Sequence, residues 1–207
     1  MKIADEKLTL TDTSFVFNEN FSGFKVNEDV KVSKFVYDLK KKTGTGDYVL
    51  NNLGSDFSIK KVTGRADISS KNIVTGTVRS NVLNGRYTVN PQTQTVVVNA
   101  NSSGYFNVNY GGKSYTINPD VDNLIVKFNE KNILRSGQIN AKIKDLSVPF
   151  VNTVNAKIKI HNGNYSINGT AGIKGGGVVN ISGTTTSDMK HSYSLNLPKS
   201  VDIAKLL

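Results

Sequence analysis

Two nearly identical strings stand fifteen residues apart: Ile139 to Lys144 reads I-N-A-K-I-K, and Val154 to Lys159 reads V-N-A-K-I-K. In both, an apolar residue alternates with a polar or cationic one, and a period of two is the mark of a strand with one buried and one wet face. Most of the chain alternates in this way. Short strands are expected at 8–11 and 14–18, and a long series from Tyr48 to about Leu197: 57–62, 64–69, 73–80, 85–90, 93–100, 105–110, 113–118, 124–128, 138–146, 151–161, 164–171, 173–182 and 191–197. Asn84-Gly85, Gly111-Gly112 and Asn162-Gly163 fall between alternating runs, and such dipeptides are the strongest short-range hairpin signals. Neighbouring strands are therefore expected to pair in sequence order.

One interval departs from the alternation. From Asn27 to Gly44 the chain offers an N-cap (Asn27), acids in a first turn (Glu28, Asp29) and apolar residues at Val32, Phe35, Val36 and Leu39. Lys40, Lys41 and Lys42 and a terminal glycine follow. These features predict one helix near residues 27–43, with a strand through Val30, Val32 and Val36 as the competing reading. A short C-terminal helix is expected from Ser200 through Leu207.

About thirteen strands cannot form one flat open sheet without curling, splitting or covering their edges. A mainly β fold follows, a long curved antiparallel meander shaped as a half-barrel or β-groove; a closed barrel or two-layer sandwich satisfies the same pattern. At 207 residues the chain is expected to be a single β-rich domain, 1–207, or a segment of a larger protein. Hydrophobic residues are only 37% of it, which favours a sheet with a large solvated face over a thick core.

The residue types needed for catalysis are scarce. His161 and His191 are the only histidines, no cysteine is present, and no cluster of Asp, Glu or Cys accompanies either histidine at metal-ligand spacing. Gly112-Lys113-Ser114 fails as a phosphate loop because Asn107 stands where a glycine is required and the segment sits in a hairpin. No G-x-S-x-G elbow occurs. Neither catalytic residues, nor a metal, nor a cofactor is expected. No run approaches the ~18 apolar residues of a membrane-crossing helix. The net charge of +10 suits anionic partners, but the cations are scattered along the strands as on a solvated face.

Three stretches have the texture of a known family. They are G-D-Y-V-L-N-N-L-G-S-D-F-S-I-K-K from Gly46, I-N-A-K-I-K-D-L-S-V-P-F from Ile139, and N-G-N-Y-S-I-N-G-T-A-G-I-K-G-G-G from Asn162. In them the chain resembles the AsmA-like and TamB-like proteins of diderm bacterial envelopes. The resemblance implies a periplasmic, membrane-associated β-groove that carries phospholipid or another amphiphile, tethered through parts absent from this chain. Val154, Ala156, Ile158, Ile160, Tyr165, Ile167, Ile173, Val179 and Ile181 would then line the apolar trough. Lys142, Lys144, Lys157 and Lys159 would face water or head groups. A β-rich virion or appendage subunit that pairs its edge strands with another chain is the alternative. A basic nucleic-acid-binding protein is the third reading, weakened by the lack of a basic-aromatic cluster.

Overall fold

A computed structural model describes residues 2–21, 24–51, 56, 58–110, 112–127, 133–144, 150–174, 176–186 and 190–196. Its strands are β1 (Lys2–Ala4), β2 (Lys7–Phe21), β3 (Phe24–Asp38), β4 (Thr43–Asn51), β5 (Lys61–Ile68), β6 (Val74–Arg79), β7 (Leu83–Asn90) and β8 (Thr95–Ser102). They continue with β9 (Phe106–Tyr110), β10 (Lys113–Lys127), β11 (Ile133–Lys144), β12 (Val151–His161), β13 (Asn164–Ile173), β14 (Val178–Thr185) and β15 (His191–Asn196). All fifteen lie in one antiparallel sheet, each beside its sequence neighbours except that β8 pairs with β10 and β9 pairs with β10 alone. The outer strands β1 and β15 do not pair with one another, so the sheet is open and not a closed barrel.

The helix expected near residues 27–43 does not form. Residues 24–38 are strand β3, and 39–42 are the turn into β4. In that turn Asp38 accepts the Lys41 N–H at 2.8 Å and Lys42 is left-handed, so the three lysines cap a hairpin rather than a helix. The spacing that resembled a helix comes from a bulge. Val32 pairs with Tyr48 and Lys34 with Asp47, leaving Ser33 extra; Val30 and Val32 therefore share a face with Phe35 and Tyr37 despite the odd interval. The C-terminal helix expected from Ser200 lies outside the described residues.

A second bulge joins two expected strands into one. Between Val121 and Leu124 the pairing of β10 with β8 slips, and Asn123, left-handed at φ 46°, donates its N–H to Asn99 Oδ1 at 2.8 Å. The P-D-V-D-N stretch that reads as a turn is thus the middle of a fifteen-residue strand. Its flank is shared, β9 pairing with residues 113–117 and β8 with 121–127. Pro119, with no N–H to donate, falls in the gap between these partners. There Asp120 accepts the Ser102 N–H (3.0 Å), and the Asn118 amide donates to the Gly104 carbonyl (2.8 Å). Similarly, the expected strands 57–62 and 64–69 contribute to one strand, β5. Asn84-Gly85 lies inside β7, the turn before it being closed by Ser80, whose Oγ accepts the Leu83 N–H at 2.9 Å.

Asn162-Gly163 does make the expected tight turn, with φ of 50° and 77°. Both residues are left-handed, as a two-residue hairpin of right-twisted strands requires. Gly163→Val should cost about 2 kcal/mol, because a β-branched residue is strained at that φ; a urea midpoint unchanged from wild type would contradict the assignment.

The described residues form a single layer over most of the sheet. The chain exposes 13006 Å², against the ~9,500 Å² that a compact monomer of this mass presents. Among the described residues a closed core forms in one place. Ile59, Val62, Phe106 and Val108 are buried together with Leu50, Val78, Val82, Leu83 and Ile117 packed around them. The lid over this end of the sheet is β9, joined by Asp56 and Ser58: Asn109 N–H bonds to Asp56 carbonyl at 2.7 Å and Ser58 N–H to Asn107 carbonyl at 2.9 Å.

Candidate functional site

Register carries the apolar positions of successive strands onto one face. A single row runs Val32, Tyr48, Gly64, Val78, Gly85, Ala100, Val121, Ile139, Ile158, Ile167, Gly183, Tyr193, each residue paired with the next across β3 to β15. The row contains no charge. On the opposite face the row Asp120, Asn140, Lys157, Asn168, Ser182, Ser194 is entirely polar. The two-residue period therefore holds its phase across the sheet, as a one-residue slip would mix the faces.

Glycines on the apolar face shape its floor. Rings from adjacent strands lie over them: Phe35 and Tyr37 over Gly44, Tyr48 over Gly64, Tyr87 over Gly76, Tyr193 over Gly183. The Tyr48 ring reaches across Gly64 to donate its hydroxyl to the Thr77 carbonyl of β6 at 2.9 Å. Rings laid flat along a sheet cover backbone without standing up into the space above it. Above this floor, over β2 to β7, sits an apolar hollow of about 420 Å³ lined by Phe15, Val30, Val32, Phe35, Tyr48 and Leu50 among others. Phe15 is 52% exposed at its edge.

The nine residues expected to line a trough do share one face. Val154 pairs with Ala171 and that residue with Val179; Ala156 with Gly169 and that with Ile181; Ile158 with Ile167; Ile160 with Tyr165. Ile173 falls on the same side by alternation along β13. Ile160 and Val179 are buried at 4% exposure, and the other seven are half-buried. Lys142, Lys144, Lys157 and Lys159 are exposed on the opposite face, Lys142 opposite Asn155 and Lys157 opposite Asn140. Lys144 rests on the Tyr105 ring, 3.9 Å from its centre. The hollow, however, lies at the other end of the sheet from these nine residues. Val30, Val32 and Phe35, which line it, fall in the segment whose spacing resembles a helix; the signal that marks them as one strand face is the alternation of Val30 and Val32 resumed at Phe35 and Tyr37 after one extra residue.

His161 and His191 lie three strands apart at the same end of the sheet, at the end of β12 and the start of β15, and His191 stacks on Tyr193 with ring centres 6.0 Å apart. Among the described residues, no group of three or more His, Cys, Asp or Glu side chains is placed to hold a metal ion, and no helix is long and apolar enough to cross a membrane. No protein-family model, no curated protein and no solved structure matches the chain.

Proposed function

We propose that this chain is a non-enzymatic β-groove module that holds the apolar tail of an amphiphile, a phospholipid being the class that its AsmA-like and TamB-like texture implies. The setting consistent with that reading is the periplasm of a diderm envelope, next to a membrane. One observation carries it: among the described residues an apolar face spans the sheet without a second layer over most of its length, and over β2 to β7 it is hollowed into a cavity of about 420 Å³. Small-molecule sites of this kind are concave, mostly apolar and at least ~300 Å³. Burial of that face by an acyl chain would recover about 25 cal/mol per Å² of apolar area. Gently purified protein is expected to carry a lipid-sized adduct in native mass spectrometry. Protein that emerges bare, and that takes up nothing from vesicles of phosphatidylethanolamine and phosphatidylglycerol, would refute the proposal.

A second reading, an assembly subunit, is supported by the β15 edge. His191 to Asn196 has no charge, no proline and no bulge to discourage a further strand, and Tyr193 and Leu195 are 64% and 72% exposed. If edge pairing is the working contact, the protein should grow into higher oligomers with concentration in light scattering, and Leu195→Lys should keep it monomeric.

A further inference from the structure

Arginine is rare in this chain. Of 26 basic residues only Arg65, Arg79, Arg86 and Arg135 are arginines; the rest are lysines. Three of the four stand on the consecutive strands β5, β6 and β7. Register puts them on the polar face: Thr77 is opposite both Arg65 and Arg86, and Arg79 is opposite Thr63 in the adjoining row. Arg65 is already engaged, 3.4 Å from Asp67 and 3.9 Å from Asp47. Arg79 and Arg86 are exposed, and among the described residues no carboxylate lies within ion-pair distance of either.

Both line the same cavity of about 710 Å³, which opens on the polar face. Asn84, Asn99 and Asn101 line it too. Asn99 spends its Oδ1 on the Asn123 N–H at 2.8 Å, which leaves its amide N–H groups to donate. The far wall carries Asp120 and Asp122 on β10, two strands from Arg86 and therefore roughly 10 Å away. A guanidinium differs from the lysines used elsewhere in offering a planar fork that matches two oxygens of one anion. Two unengaged forks beside amide donors suit a tetrahedral oxyanion. Acids on the facing wall disfavour a polyanion that would fill the whole cavity, nucleic acid included.

We propose that Arg79 and Arg86 form a binding site for a single phosphate group, supplied either as a small soluble phosphate or as a lipid head group. The site is on the opposite face from the apolar hollow and stands or falls independently of it. Calorimetric titration with inorganic phosphate at low ionic strength tests the soluble source, and co-sedimentation with vesicles of equal parts phosphatidylcholine and phosphatidylglycerol tests the lipid source. Arg79→Lys and Arg86→Lys keep the net charge, so they remove the fork while leaving the long-range field intact. Because both side chains are exposed, the variants should retain the wild-type circular dichroism and melting temperature. Saturable phosphate binding that either variant weakens at least tenfold supports the site with a soluble ligand. Vesicle binding weakened to the same degree, with no response to inorganic phosphate, supports it with the head group as source. Absence of binding in both arms, or binding that both lysine variants retain in full, overturns it.

Discussion

Gly64→Val is expected to destabilise the fold by about 3 kcal/mol, the upper end of the range for forcing extra volume into a packed position. Two obstacles meet at that site. A Cβ on Gly64 would run into the Tyr48 ring and into the Thr77 backbone carbonyl, the same carbonyl that the Tyr48 hydroxyl bonds at 2.9 Å. Lifting the ring clears one obstacle but gives up that hydrogen bond, about 1 kcal/mol, and the carbonyl remains. The double variant Tyr48→Ala, Gly64→Val should therefore stay destabilised. At Gly183 the crowding comes mainly from the Tyr193 ring on the edge strand, so there the corresponding Tyr193→Ala change should relieve most of the cost. Urea denaturation of the four variants decides it. A Gly64→Val midpoint close to wild type would mean that the tyrosine does not lie across the glycine, and the flat floor of the apolar face would lose its basis.

Strand identity was legible wherever alternation ran unbroken. Val154 to His161 is the clearest case: after one irregularity beside Val151 it alternates throughout, and the strand it belongs to, Val151–His161, has the bounds read from the residues alone. Alternation failed as a guide where bulges shifted its phase. In β3 the extra Ser33 spaces Val32 and Phe35 by three, which together with Val36 and Leu39 copies the spacing of a helical face, and the acids and lysines at the two ends completed the imitation. In β10 the bulge at Asp122-Asn123, with Pro119 just before it, reads as a break although the strand continues; only the partner strands reveal that β8 and β9 divide its flank. A bulge is decided by pairing across the sheet, and a single chain read end to end does not display its partners.

The same limit governed the site. That Val154, Ala156, Ile158 and Ile160 share a side with Tyr165 and Ile167 follows from period two plus the Asn162-Gly163 hairpin, so this end of the apolar face could be read directly. Where the face becomes hollow could not. Concavity depends on which residues on that face are glycine and on the rings that cover them, and those rings come from neighbouring strands: Tyr48 on β4 over Gly64 on β5, Tyr87 on β7 over Gly76 on β6. The arginine pair was equally hidden, since Arg79 and Arg86 look like scattered surface cations until β6 and β7 are laid side by side.

Val32→Asp should abolish amphiphile binding, lowering affinity at least a hundredfold, while leaving the protein folded. Val32 sits in the lining of the hollow between Thr13 of β2 and Tyr48 of β4, half-buried and open to water on one side. In the empty protein a carboxylate there keeps its hydration, so the stability cost should stay at about 1 kcal/mol, typical of a point substitution. A hydrocarbon tail seated in the hollow would strip that hydration, and an unpaired buried charge costs several kcal/mol; a hundredfold in affinity is about 2.7 kcal/mol. The contrast with Ile160→Asp separates binding from folding, because Ile160 is only 4% exposed and its replacement by a charge should unfold the protein outright. Ile158→Asp tests the other end of the same face, where the residue is half-buried on β12. Fluorescent fatty-acid titration beside thermal melting reads both quantities for each variant. Loss of binding in Val32→Asp with Ile158→Asp little affected places the tail over β2 to β7; the reverse would move the ligand to the β11–β14 end; and undiminished binding in both folded variants would remove the apolar face from the function altogether.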